Sequence, residues 1–351
     1  MFVSPALHFT TLTKRTSLIR RIYILFAGLL SVVNAHAESP VDIAPIIHLR
    51  NLVQSGNMVA GETPFSGFPF AVENNSVNKL TLYIQQGQLP PKYVIATEQL
   101  VNYFPIDKQA LLDDKRTQTS ELFSLNATHA PSPYNHDTHL LRIVIIASPT
   151  TTSSINWTEK VQVSLDFNPE LVLEYRLIGY ETQQARQHEH QHDDKLTDTH
   201  KNTITALYEL RYNPHYDVER QQLKQSVVKQ VRLKKTHGHQ RFSDFTPYQM
   251  AVVRLHYQPD NIDGWPQAAT STTFAVSNVD GESRFEHASD DFRFAAAVAG
   301  FGQLLNHNAY LHDVDYAKLI EIAASALGND ELGQRQEFLH LMRATQLLTE
   351  P

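Results

Sequence analysis

Residues 188–200 read His-Glu-His-Gln-His-Asp-Asp-Lys-Leu-Thr-Asp-Thr-His, the densest run of metal-ligating side chains in the sequence. His188, His190 and His192 stand at i, i+2 and i+4, so an extended chain projects all three imidazoles to one face. Neutral imidazole ligates zinc, copper or nickel, and Asp193, Asp194 or Asp198 can add oxygen beside His200. Two readings follow. The tract is a zinc or copper site of an exported protein, or it is a solvated polar loop between strands.

Other chemistry is sparser. His237 and His239, in a basic stretch with Lys234 and Lys235, read as surface loop. Asp290 and Asp291 form a carboxylate pair, but two acids opening a helix are accounted for by capping and the macrodipole. The absence of cysteine excludes thiol catalysis, disulfides, thiolate zinc sites and iron–sulfur clusters. No Gly-x-Ser-x-Gly elbow, Gly-x-Gly-x-x-Gly turn or Gly-x-x-x-x-Gly-Lys loop occurs. Thirty Lys and Arg against 37 Asp and Glu argue against a general nucleic-acid binder. The expectation is a protein that is not an enzyme and holds no cofactor, with metal at the His tract as the alternative.

The elements that would position these residues begin after an address label. Lys14, Arg15, Arg20 and Arg21 precede the apolar run 22–33 and then Ala35-His36-Ala37. This is the layout of a secretory signal peptide over residues 1–37. Its removal takes away four basic and no acidic side chains, moving the net charge from −7 to −11. No later stretch approaches the roughly 20 apolar residues of a membrane span. The mature chain is therefore expected in the periplasm, with no membrane span and unidentified envelope proteins as partners.

Residues 38–75, rich in Pro and Gly, read as a flexible lead-in. Within 76–120 two short amphipathic helices are predicted, one capped by Asn75 or Ser76 and ended by Gly87, one from Thr97 to Pro105. From about 121 the period becomes two. Leu140 to Ile146 is a near-continuous apolar run, while 161–167, 171–177, 204–212 and 251–257 alternate apolar and polar residues. Phe274 to Val276 reads as an edge. Strands without intervening helices predict an antiparallel β-sandwich over 121–280. Three helices follow in 281–351, opened by Asp290 or Asp291, by Asp315 and near Asp330. The fold class is α+β: a sandwich with two short N-terminal helices and a C-terminal helical subdomain.

Several stretches together resemble one family. Leu80–Pro91 (LTLYIQQGQLPP) and Glu98–Phe104 (EQLVNYF) are similar to the N-terminal region of bacterial von Willebrand factor type A domain-containing proteins of the YfbK-like family. Asp166–Glu181 (DFNPELVLEYRLIGYE), Thr203–Leu210 (TITALYEL), Asp290–Leu305 (DDFRFAAAVAGFGQLL) and Phe338–Arg343 (FLHLMR) resemble its C-terminal domain of unknown function. The resemblance implies a von Willebrand A domain between the two regions, bearing an Asp-x-Ser-x-Ser metal motif. That motif does not occur here, and the gap near 147–160 cannot hold a domain of roughly 100–150 residues. The chain is thus expected to be the flanking scaffold with its guest lost, acting through protein–protein interaction. In the resembled family the loop holding the His tract is acidic, without this density of His.

Overall fold

Alternating sequences become strands here because each strand has one face to bury, and a strand buried on both faces has no polar side to spare. The computed structural model describes residues 56–70, 75–148, 161–180, 202–214, 245–246, 248–258, 268–279, 281–311 and 313–349. In chain order the elements are β1 (Met58–Val59), β2 (Phe65–Pro69), α1 (Ser76–Gln85), α2 (Thr97–Val101), α3 (Lys108–Asp113), β3 (Gln118–Thr119), β4 (Phe123–Pro131) and β5 (His139–Ala147). Then come β6 (Val161–Phe167), β7 (Val172–Ile178), β8 (Thr203–Tyr212), β9 (Gln249–Tyr257), β10 (Thr270–Ser277), α4 (Asp290–Leu305), α5 (Tyr316–Ala324) and α6 (Gln334–Thr349).

The strands form a six-stranded sheet, β1-β7-β8-β5-β4-β3, and a four-stranded sheet, β10-β9-β6-β2. Every described pairing is antiparallel. The fold class is the α+β antiparallel sandwich that the alternation predicts. Leu141, Ile143 and Ile145 of β5 share one core cluster with Val163 and Leu165 of β6 and Val253 and Leu255 of β9. Phe167 stacks on Tyr175 at 4.3 Å, and Tyr208 donates to Ser66 Oγ at 3.0 Å, tying the sheets together.

On the other face of β5, Leu140 joins a second cluster with Val77 and Leu80 of α1, Leu100 of α2 and the apolar faces of α4, α5 and α6, while Val144 and Ile146 cluster with Leu111 of α3. Helices therefore cover the six-stranded sheet on the side away from the four-stranded one. This explains the near-continuous apolar run of β5: it is the middle of three layers. The apolar faces of the C-terminal helices are spent on this core.

Three local expectations need correction. The stretch read as a lead-in contains β1 and β2, which pair with β7 and β6 and sit at an edge of each sheet. Phe68 and Phe70 are core residues, but Gly67 and Pro69 mask the strand signal. A third short helix, α3, follows Asp107, whose side chain accepts from Ala110 N at 2.9 Å. Ser289, not Asp290 or Asp291, caps α4 through a bond from Phe292 N, and Asn75 makes no side-chain cap on α1. The Asp315 cap on α5 stands as predicted, accepting from Lys318 N at 2.8 Å.

Candidate functional site at the sheet–helix junction

The sheet face under the helices is unusually polar. Arg176 on β7 lies directly opposite Glu209 on β8, and both are buried. Arg176 Nη2 donates to Glu209 Oε2 at 2.5 Å, and Nη1 donates to Gln303 Oε1 of α4 at 2.8 Å. The ring of Tyr310 lies 4.4 Å from the guanidinium. Glu209 Oε1 accepts from Thr138 Oγ1 at 2.7 Å and from Ser132 at 3.5 Å. Carboxylate and guanidinium thus face bonded partners on several sides, the condition for a buried ion pair to persist.

At its C-terminal end β7 leaves the sheet through two left-handed residues, Gly179 (φ 92°) and Tyr180 (φ 67°). A side chain on Gly179 would be strained by its φ of 92° and would put a Cβ tightly against Glu98 N, at 3.0 Å. Glu98, buried on α2, accepts from Tyr180 N at 2.8 Å. The side chain of Asn102 then takes the place that β7 has vacated beside β8. Its Nδ2 donates to Thr205 O at 2.9 Å and its Oδ1 accepts from Thr205 N at 2.8 Å. Asn306, closing α4, accepts from Tyr93 N and donates to Ile95 O.

A second charged group lies further along the same sheet face. Arg142 of β5 is 3% exposed, with the ring of Phe292 at 5.6 Å. Its Nε has no hydrogen-bond partner among the described residues. Burial pushes its pKa down to about 10, opposed by the field of Asp291, so it is a cation at neutral pH. Asp291 itself pairs with Arg335 of α6, and Arg116 bonds Asp114 and Glu282. For Asp114, burial alone raises the pKa, but the bonds from Arg116 outweigh it and the net shift is downward.

A polar cleft of about 60 Å³ opens beside Glu209, lined by Asn57, Asn135, Thr138, Glu174, Arg211 and Tyr310 among others. That is room for about two waters, far short of an organic-substrate pocket of roughly 300 Å³ or more. Glu174 pairs with Arg211 at 3.3 Å.

The predicted metal ligands His188, His190, His192 and His200 lie outside the described residues, as do His237 and His239. Among the described residues no group of three or more His, Asp and Glu is arranged to hold a metal. Sequence reading missed one polar cluster between the sheets. His129 Nε2 donates to Asn278 O at 3.1 Å, its Nδ1 lies 3.1 Å from Tyr212 Oη, and His139 packs against Tyr212 at 4.7 Å. Strand register alone brings those three together, and no spacing in the sequence signals it.

What fold and junction define is a two-sheet platform with a helical cover, whose family-like blocks meet at buried polar contacts. The chain belongs to the YfbK family: residues 153–348, more than half of it, match the family model described as uncharacterized protein YfbK, C-terminal. Residues 48–142 match a model described as von Willebrand factor. Over 201 residues the chain is 29% identical to the uncharacterized protein YfbK of Escherichia coli (strain K12), covering 56% of this chain. It spans 31% of that relative's length. No solved structure matches. The two matched regions interleave in both sheets, β2 pairing with β6 and β5 with β8. Among the described residues no helix is long and apolar enough to cross a membrane.

Proposed function

We propose that the chain is a non-enzymatic scaffold of the cell envelope, exported to the periplasm, that acts by binding other proteins. It corresponds to the flanking parts of a von Willebrand A protein whose guest domain and adhesion site are gone. One observation carries the reading: Arg176, Glu209, Gln303, Glu98 and Asn102, polar residues of the family blocks, and Asn306, next to the block that ends at Leu305, bond to one another or to backbone inside the junction. Their chemistry goes into holding helices on a sheet. The narrow matched gap between residues 142 and 153 supports loss of the guest. Cell fractionation followed by cross-linked capture from envelope extract tests the reading. A periplasmic chain with a stoichiometric partner is expected; a cytoplasmic location, or no partner at all, sinks it.

The spacing of His188, His190, His192 and His200 favours a second activity, transition-metal binding by that tract. Calorimetric titration with Zn²⁺ and Cu²⁺ is expected to show heat that a chain lacking residues 188–200 does not. Equal heats for the two chains end that reading.

A further inference from the structure

A buried guanidinium ordinarily spends its N–H groups on acceptors. Arg142 of β5 spends none. It is 3% exposed, yet it forms no hydrogen bond or ion pair with any described residue. The carboxylates whose fields reach it, Asp291 and Asp114, are already bonded to other arginines, Arg335 and Arg116. Arg116 also holds Glu282 at 3.1 Å. The residues directly opposite Arg142, Thr128 on β4 and Leu207 on β8, carry no charge.

The side chain leads to one place. The guanidinium lies 5.6 Å from the ring of Phe292, in the first turn of α4. The amides of Asp290 and Asp291, which open this 16-residue helix, have no acceptor among the described residues. They add partial positive charge at that end. The side chain of Asp290 is itself taken, by Arg293. Of the three guanidinium nitrogens only Nε is sealed, with no room for a water beside it. Nη1 and Nη2 are equally without acceptors and keep contact with solvent through a narrow opening.

We infer that Arg142 is the floor of a binding site for a monocarboxylate, held end-on by Nη1 and Nη2 at the first turn of α4. Two parallel N–H groups match the two oxygens of a carboxylate. Phosphate brings a second negative charge beside Asp114, Asp291 and Glu282, and chloride offers one contact where the fork has two. Desolvation of the guanidinium is already a cost of folding, so the ligand does not meet it again. The opening admits a carboxylate head and leaves its substituent outside. The head belongs to a small free acid or to an acidic side chain of a bound protein, with the same chemistry at Arg142. This site is independent of the scaffold reading.

Thermal melts of the full chain in sodium acetate, beside sodium chloride and sodium phosphate at equal ionic strength, test it. Acetate is expected to raise the melting temperature saturably, by more than chloride does. In Arg142→Met that increment disappears, whatever the substitution does to the melting temperature without acetate. Arg142→Lys keeps the charge without the fork, so about tenfold more acetate is needed for half the increment. Arg142→Gln serves if the Met variant does not fold. The peptide acetyl-Gly-Glu-Gly-amide separates the two sources. Half-saturation about tenfold below that of acetate assigns the carboxylate to a protein partner, and anything weaker assigns it to a free acid. No acetate increment, an increment that survives Arg142→Met, or phosphate acting at lower concentration than acetate overturns the proposal.

Discussion

Arg176 and Arg142 are two buried guanidinium groups on the same sheet face, with opposite consequences. Arg176 has Glu209 and Gln303 as direct partners, whereas Arg142 has an aromatic ring and only distant carboxylates. Removing one member of a bonded buried pair strands the other charge and costs about 3–5 kcal/mol. Arg176→Met is therefore expected to lose stability on that scale in urea unfolding. Arg142→Met removes a charge without stranding a bonded partner, so it is expected to cost under about 1 kcal/mol or to stabilise. Equal losses in the two variants would remove the distinction on which the junction rests. The sequence displays both arginines in alternating strands, but only register pairs one of them with a glutamate.

Elements meet closely where α4 crosses α2. A Cβ on Gly302 would stand 2.8 Å from Thr97 Oγ1 and 3.0 Å from its Cγ2. In an isolated helix, Gly302→Ala should gain up to about 1 kcal/mol. Here overpacking reverses the sign, and a net loss of about 1–3 kcal/mol is expected from thermal melts. A stabilised variant would mean that α4 and α2 are not held in contact. Ser289→Ala tests the cap that replaced the predicted aspartates and should cost about 1 kcal/mol. Helices α4 and α5 were legible because apolar spacing and a capping side chain coincide within each segment. Strands β1 and β2 were not, since a short strand with Gly and Pro is recognisable only from the partner it finds in β7 or β6.

For the whole molecule the decisive fact is interleaving. The segments on either side of 149–160 pair with each other through β1–β7, β2–β6 and β5–β8, so neither can close a sheet alone. A protease site engineered between Ser148 and Val161 is expected to yield two fragments that stay together in native gel filtration and melt in one transition. Fragments that separate would show two independent folds. Alkaline pH should expose the buried phenols. Burial raises the pKa of Tyr134, Tyr175, Tyr180, Tyr208 and Tyr316, the last to about 12, against an ordinary 10. A raised pKa means that the unfolded chain releases its proton first. Stability from these groups is then complete below pH 10 and falls as pH rises toward 12 and beyond. Urea midpoints that hold steady from pH 8 to 12 would contradict this; Tyr316→Phe should make the decline shallower.

The amino-acid order alone determined what depends on near neighbours: alternation that makes strands, amphipathic spacing that makes the long helices, the α+β class, and the blocks that mark the family. Tertiary structure alone decided which strand lies beside which, that β5 is buried on both faces, and that Arg176, Glu209 and Gln303 become one group. The physical reason is distance along the chain. Hydrophobic period is written in windows of a few residues, whereas an ion pair between β7 and β8, or a guanidinium buried without a partner, exists only once remote segments have packed.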